Sequence, residues 1–483
     1  MDNKTRVVSN LIWRFFERCG AQLVSFAVTV VLARILDPAE YGPISKVAVF
    51  TSILLVFVDS GMANALIQKK DPDDLDYSSV FWFNLSFGTA LYLLLFLAAP
   101  LVARLYHDTR LVPLLRVLGL TLVVAGVKNV QQAYVSKTLQ FKRFFFATLG
   151  GTLFSAALGI AMAWKGFGVW ALVAQQLSNV VVNTVILWFT VGWRPKRLFS
   201  TGRLKGLLSY GWKLLGAQLL DTVYLKLYPL VIGMRYTDAD LAFFERGNHL
   251  PNLVVENINY SIDSVLLPVL SDQQDRRDRL REMTRRAIRT SSYVMMPLMA
   301  GLAVCAEPLI RLLLTEKWLP CVPFMQVFCV VYAFYPLHTA NLNAIKAMGR
   351  SDVFLRLEII KKVLETSVLL ITMRIGVFPM ALGQLGCELA SVVINTWPNR
   401  KLLSYPYRQQ LRDLLPAVLL SLGMAALIWP VSLLGLRDLW TLLIQIPLGV
   451  ALYVGGSLLF RLDSFTLILE LLRSFLRGKK EAT

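Results

Sequence analysis

The sequence predicts an all-α membrane protein of about fourteen transmembrane helices, built as two parallel six-helix lobes followed by two C-terminal helices. Three observations carry that prediction. Of the 483 residues, 56% are hydrophobic and 17% charged, and mean hydropathy is +0.56. A soluble chain of this length could not hide so much apolar surface, whereas a polytopic membrane protein needs it. Apolar runs of spanning length recur from one end of the chain to the other. The chain also repeats itself at an offset of roughly two hundred residues, far longer than a solenoid period.

The repeat shows in paired runs. Gly20-Ala21-Gln22 recurs as Gly216-Ala217-Gln218, and Ala99-Pro100-Leu101-Val102-Ala103-Arg104-Leu105 as the degraded Glu307-Pro308-Leu309-Ile310-Arg311-Leu312-Leu313. Gly168-Val169 with Gln176 is echoed by Gly376-Val377 with Gln384. Each copy holds about six spans, and an even number returns the chain to its starting side. Both copies therefore enter the bilayer in one orientation, the parallel-repeat plan of transporters, with a binding site expected between the lobes near the midplane.

Apolar spans are expected near 11–33, 43–66, 78–102, 111–133, 144–164, 168–191 and 209–234. Further spans follow near 242–270, 289–314, 321–345, 355–375, 377–397, 413–433 and 438–461. The resulting organisation is a first lobe over 1–191, a basic linker over 192–208, a second lobe over 209–398 and two additional helices over 399–463. Residues 464–483 form a basic tail, in which Phe465, Ile468, Leu469, Leu472 and Phe475 mark one face of an amphipathic interfacial helix over 464–478. The densely charged stretch Asp272 to Arg289, with Arg on successive helical turns, suggests a cytoplasmic helix lying at the surface.

The net charge of +19 is mostly a topology signal. With the N-terminus in the cytoplasm, roughly 33 Lys and Arg fall in cytoplasmic segments and roughly 11 in the opposite loops. Both termini are thus expected on the cytoplasmic side. Nucleic acid is not an expected partner; membrane lipids are, since the same charge can attract anionic headgroups. The first span follows Lys4 and Arg6 without a small-residue cleavage site and is expected to be retained. Cys19, Cys305, Cys321, Cys329 and Cys387 show no C-x-x-C pairing and are expected as small core residues.

Missing motifs narrow the chemistry. No G-x-x-x-x-G-K-[ST], H-E-x-x-H or G-x-S-x-G run occurs, and His107, His249 and His338 lie far apart. No cofactor, metal site or catalytic residue is expected, so the chain is not expected to be an enzyme.

Ionisable residues at span depth are the strongest pointers, because each costs about 2.5–3.5 kcal/mol near a helix centre unless it meets a partner or water. The first span carries Arg14, Glu17 and Arg18 on neighbouring turns, with the two arginines on one face. Its repeat equivalent carries Lys213, Asp221 and Lys226, and Asp59 in the second span is a partner for Arg14 or Arg18. In the eighth span Glu245, Asn252, Glu256, Asn259 and Asp263 form a polar stripe that should border a hydrated cavity. Bland readings stand beside these. Arg14, Arg18, Lys213 and Lys226 can snorkel, and Asp59 can serve only packing. Glu365 and Glu388 fit structural hydrogen bonding, Lys128 and Asn129 an interfacial position, and Gln175 and Gln176 helix joining.

Several runs carry a family resemblance. They are Leu32-Ala33-Arg34-Ile35-Leu36-Asp37-Pro38 with Tyr41-Gly42, and Asp59-Ser60-Gly61 followed by Ala65-Leu66-Ile67-Gln68-Lys69-Lys70. Phe81-Trp82-Phe83-Asn84 opening helix three, Pro268-Val269-Leu270-Ser271 closing helix eight, and Ala347-Met348-Gly349-Arg350 complete the set. Through these the chain resembles the Wzx-type flippases of O-antigen and other polysaccharides, in the polysaccharide-transporter branch of the multidrug/oligosaccharidyl-lipid/polysaccharide flippase superfamily.

The resemblance implies a fourteen-helix protein of the bacterial inner membrane that works by alternating access. It would flip undecaprenyl-diphosphate-linked oligosaccharide units for lipopolysaccharide O-antigen, capsule or teichuronic-acid export, with H+ or Na+ as coupling ion and polymerase machinery as a further partner. It also implies that helices 1, 2, 7 and 8 line the cavity. Arg14, Arg18, Lys213 and Lys226 are then the candidates for the diphosphate, because cations hold phosphate in a low-dielectric site. Gln22, Asn252 and Asn259 are candidates for sugar hydroxyls. Glu17, Asp59, Asp221, Glu256 and Asp263 would balance charge or take a coupling ion. A lipid II flippase, a drug/cation antiporter of the same superfamily and a membrane-embedded glycosyltransferase stay open as alternatives.

Overall fold

The computed structural model describes residues 20–59, 61–138 and 140–470, and within them the chain is helical throughout, with no strand. The first helix, α1, is Gly20–Ile35. It is followed by α2 (Pro38–Asp59), α3 (Met62–Gln68), α4 (Asp74–Leu105), α5 (Leu111–Leu118), α6 (Leu120–Lys137), α7 (Phe141–Trp164), α8 (Val169–Thr190) and α9 (Thr201–Arg235). Next come α10 (Asp238–Ser271), α11 (Arg277–Val304), α12 (Ala306–Leu314), α13 (Val322–Ala333) and α14 (Tyr335–Ala347). The chain ends with α15 (Ser351–Thr372), α16 (Val377–Thr396), the short α17 (Asn399–Leu402), α18 (Tyr407–Ile428) and α19 (Asp438–Leu459).

The protein is a multi-pass membrane protein. Helices fall where spans are expected, yet composition certifies fewer of them. Among the described residues nine helical segments are long and apolar enough to cross a membrane, and ten when α11 and α12, bent by 65° at their junction, count as one. The others fail for a physical reason. α9, α10 and α15 have the length but are diluted by charged and other polar residues, and α1 is described only from Gly20. Polarity is thus concentrated in a few helices of an otherwise apolar bundle.

Contacts divide the chain into two compact units, Met1–Ala242 and Phe243–Thr483. In the first, the second span is broken at Gly61, whose φ of +66° caps α3. A Cβ there would lie 2.6 Å from the Gly211 carbonyl oxygen of α9. Glycine is required twice over, for the left-handed backbone and for the close approach. The same device joins α4 to α6, where a Cβ on Gly126 would lie 2.6 Å from the Asn84 carbonyl oxygen. Phe81-Trp82-Phe83-Asn84 does not open the third helix as expected. α4 starts earlier, at Asp74, because Asp73 and Asp76 form a capping box. The Asp76 amide donated to Asp73 holds that carboxyl below its ordinary value.

The basic segment 192–208 is docked on the acidic start of α4. Lys196 pairs with Asp74 at 2.5 Å, and Arg203 reaches Asp73 at 3.3 Å and the fully buried Asp76 at 3.5 Å. Backbone amides of Lys196 and Ser200 donate to Ser78 and Ser79, and the Trp193 indole donates to Asp74. At another corner of this unit Asp238 receives Lys46 at 2.5 Å and Arg110 at 2.7 Å. Beside it burial would raise the Asp108 carboxyl, but hydrogen bonds from Arg110 and the charge of Lys46 hold it below its ordinary value.

In the second unit the stretch Asp272 to Arg289 is not a helix of its own. From Arg277 it is the first three turns of α11, continuous with the apolar run that follows. Arg281, Arg285 and Arg289 recur every fourth residue and line one face. That face is consumed by α18: Arg281 donates to Gln409, and Arg285 forks onto Asp413 at 2.6 and 2.7 Å. Of the tail, a helix over 463–470 is described, and its Phe465 and Ile468 pack against Tyr293, Met424 and Tyr453. Leu472 and Phe475 lie outside the described residues. Cys305, Cys321, Cys329 and Cys387 are buried free thiols; Cys19 lies outside the described residues.

The offset that carries Gly168 to Gly376, each preceding a helix (α8 and α16), also carries His107 to Thr315. Both lie in the left-handed region, at φ of 52° and 83°. Gly61→Ala is expected to destabilise the protein by about 1–3 kcal/mol through strain and displaced backbone, read as a lower unfolding temperature in detergent. An unchanged midpoint would show that the α3–α9 approach is not tight.

Candidate functional site

The residues expected to bind substrate divide between the two units. Arg14, Glu17 and Arg18 lie outside the described residues. In the first unit Gln22 is half-buried on α1, and Lys213, Asp221 and Lys226 are carried by α9. Asp221 is exposed. Lys226 is half-buried, about 14 Å along the helix from its Arg235 end by the rise per residue. Neither has a hydrogen bond or ion pair to another described residue. Five positions apart, they do not share a helix face, so Asp221 is poorly placed to neutralise Lys226 from within α9.

Asp59, at the end of α2, accepts a hydrogen bond of 2.6 Å from the Asn129 amide of α6. Lys128 is near enough to act on it electrostatically. Asn129 is 6% exposed. It is drawn inward because a carboxylate within the bundle needs a donor. The three residues form a small polar cluster beside the break at Gly61.

In the second unit the polar stripe of α10 is used in two ways. The Asn252 amide donates to Glu256 at 2.7 Å within the helix. The Thr339 hydroxyl donates to Asn259 at 2.5 Å, Asn343 to Asp263 at 2.7 Å and Tyr332 to Asn248 at 2.6 Å, joining α10 to α13 and α14. Glu256 and Asp263 nonetheless remain exposed. One edge of the stripe is structural and the other is open, which suits a helix with neighbours on one side and a wet surface on the other.

Between α11, α18 and α19 lies a groove of about 1140 Å³. Arg285, Arg289 and Arg412 stand at one end, and Leu415, Leu419 and Leu427 are among the residues that line the rest. Asp413, 1% exposed, anchors the rim: besides Arg285 it receives Arg289 at 3.1 Å and the Tyr405 hydroxyl at 2.7 Å. Cationic at one end and apolar beyond, the groove matches the amphipathic shape of a lipid. Sequence reading missed this site because Arg285 and Asp413 are 128 residues apart. The fourfold spacing of the arginines was the available signal. It also missed that His338 meets Glu388 at 2.6 Å and Asn395 at 2.8 Å, 50 and 57 residues away.

A bundle with polarity confined to a few helices, an amphipathic groove and a half-buried Lys226 unpaired among the described residues suits a membrane protein that handles amphipathic molecules. Its fold is that of a solved lipid II flippase MurJ in an inward closed conformation. The TM-score is 0.75 at 15% identity, over 94% of this chain and 99% of that one. The chain belongs to the polysaccharide biosynthesis protein family, whose profile matches residues 31–323. Among curated relatives it is 22% identical to the succinoglycan biosynthesis transport protein ExoT of Rhizobium meliloti (strain 1021), over 75% of this chain and 74% of that protein. It is 23% identical to the lipopolysaccharide biosynthesis protein WzxC of Escherichia coli (strain K12), over 93% and 92%.

Asp413→Asn leaves Arg285 and Arg289 side by side without a carboxylate. It is expected to cost about 2 kcal/mol, discounted from a fully buried pair because both arginines are partly exposed. Thermal unfolding in detergent reads the loss, and an unaltered transition would mean that the pairing contributes nothing net.

Proposed function

We propose that the protein is a flippase that carries undecaprenyl-diphosphate-linked oligosaccharide repeat units across the bacterial inner membrane by alternating access, for export of surface polysaccharide. The observation that carries this reading is Lys226: a half-buried cation with no partner among the described residues, on a helix too polar to pass as an ordinary membrane span. A lone cation at such depth is costly, and a diphosphate relieves that cost by charge-assisted hydrogen bonding. Family membership supplies the sugar-polymer context, and the transport role in the name of ExoT agrees with it.

In this reading Lys213 and Lys226 of α9, with Arg14 and Arg18, hold the diphosphate, and Gln22, Asn252 and Asn259 contact sugar hydroxyls. Glu17, Asp59, Asp221, Glu256 and Asp263 set the charge of the empty site. The groove rimmed by Arg285, Arg289 and Arg412 offers apolar surface to a lipid chain. In the same reading the lobes run over 1–191 and 209–398, with added helices over 399–463 and both termini cytoplasmic. A drug/cation antiporter would use a net-acidic site, which the lysines of α9 disfavour. The protein performs no bond chemistry of its own in this scheme.

In a strain lacking this protein, surface polysaccharide should disappear while complete lipid-linked repeat units accumulate in the inner leaflet. Truncated units would point instead to glycosyl transfer, and an unchanged lipid-linked pool with new drug sensitivity to efflux. Arg18→Ala with Lys226→Ala should abolish export while the protein still inserts, with Lys226→Arg retaining most of it. Normal export by the stably inserted double variant would sink the diphosphate cradle.

A further inference from the structure

We propose that His338, Glu388 and Asn395 form a proton-binding site inside the second unit, with H+ as its ligand. The imidazole of His338, on α14, lies between two side chains of α16. Its Nε2 is 2.6 Å from Glu388 Oε1, and its Nδ1 is 2.8 Å from the Asn395 amide nitrogen. The histidine and glutamate side chains are only 12% and 14% exposed.

The geometry fixes the resting state. An amide nitrogen can only donate, so Nδ1 is an acceptor and carries no proton. The one imidazole proton is therefore on Nε2 and is donated to the Glu388 carboxylate. The His338–Glu388 pair then bears one negative charge within a membrane bundle. The same three residues can hold one more proton without rearranging the backbone. Asn395 Oδ1 is buried and has no hydrogen-bond partner. If the amide turns over, that oxygen faces Nδ1 and accepts from a newly protonated Nδ1–H. One N–H bond forms, the proton comes from water, and nothing is oxidised or reduced. The imidazolium then donates to Glu388 on one side and to Asn395 on the other, so both ring nitrogens are hydrogen-bonded in either state.

The charge change gives the site a use. Loading converts an anionic pair into a neutral one, and a neutral pair is far cheaper to keep away from water. The unloaded site favours a hydrated surrounding, and the loaded site tolerates occlusion. That use as a coupling device rests on the flippase reading, whereas proton binding can be read without any substrate.

Other titratable groups surround the site. Glu365 of α15 acts on Glu388. Cys387 of α16, Tyr332 of α13 and Tyr335 of α14 complete the near shell, and Glu256 of α10 acts on both tyrosines. On α11, which also packs on α14, charged residues stop at Arg289, and the Tyr293 hydroxyl is engaged by Ser457. Arg400 and Lys401 of α17 are exposed. The facing partners are therefore predominantly acidic, which favours uptake of a cation.

The chain has three histidines, so ring-15N-histidine labelling of the full-length protein in detergent gives three ring systems, assigned with His107→Gln, His249→Gln and His338→Gln. At high pH His338 should show a bare Nδ1 and a protonated Nε2. On acidification Nδ1 alone should gain a proton. Glu388→Gln keeps an acceptor for Nε2–H but removes the charge, and should lower the midpoint by about one pH unit, a tenfold weaker proton affinity. Asn395→Asp should move it the other way. A wild-type His338 ring that keeps one protonation state across the pH range in which the protein stays folded would overturn the proposal, as would an unmoved midpoint in both folded variants. A titrating His338 in a protein that exports without any pH gradient would retain the site and remove its coupling role.

Discussion

A membrane interior offers no water to a stray polar group, and the placement of nearly every informative side chain in this protein follows from that constraint. Asp59 is met by Asn129, Asp263 by Asn343, Asn259 by Thr339 and His338 by Glu388 and Asn395. Each pairing joins two helices, so the need to satisfy a polar group also sets which helices are neighbours. Lys226 contrasts with these, being half-buried with no partner among the described residues. A half-buried cation without a described partner is costly, and an anion that reached it would relieve that cost.

Much of the fold was legible in the sequence because hydropathy reports membrane burial directly. The helix order and the mostly short turns could be taken from the residues. The span count was less secure, because α9, α10 and α15 are long enough to span but dilute their apolar character with charged and other polar residues. Those are also helices where function was sought, so the signal that weakens a span prediction is the signal that marks a site. The start of α4 was misplaced because a capping box of two aspartates extends the helix beyond its apolar run.

The candidate site was legible only as a set of costly residues, without their partners. Local spacing reveals contacts within a helix, such as Asn252 with Glu256, but contacts between helices such as His338 with Glu388 and Arg285 with Asp413 join residues 50 and 128 positions apart. His338 looked inert because no other histidine was near it in sequence. Its partners were a glutamate and an asparagine on a different helix. The arginines of α11 looked like a surface feature for the same reason, since Asp413 follows so much later.

The corners at His107 and Thr315 have a consequence for the energetics of the chain. Neither residue is the glycine that would adopt a positive φ without cost. Yet the turn at the end of α4 and the turn at the end of α12 each hold one of them there. Each such corner costs of order 1–3 kcal/mol, and it persists only because the helices on either side leave the chain no easier path. These bends are places where the backbone is held rather than where it rests, loaded joints between otherwise relaxed rods.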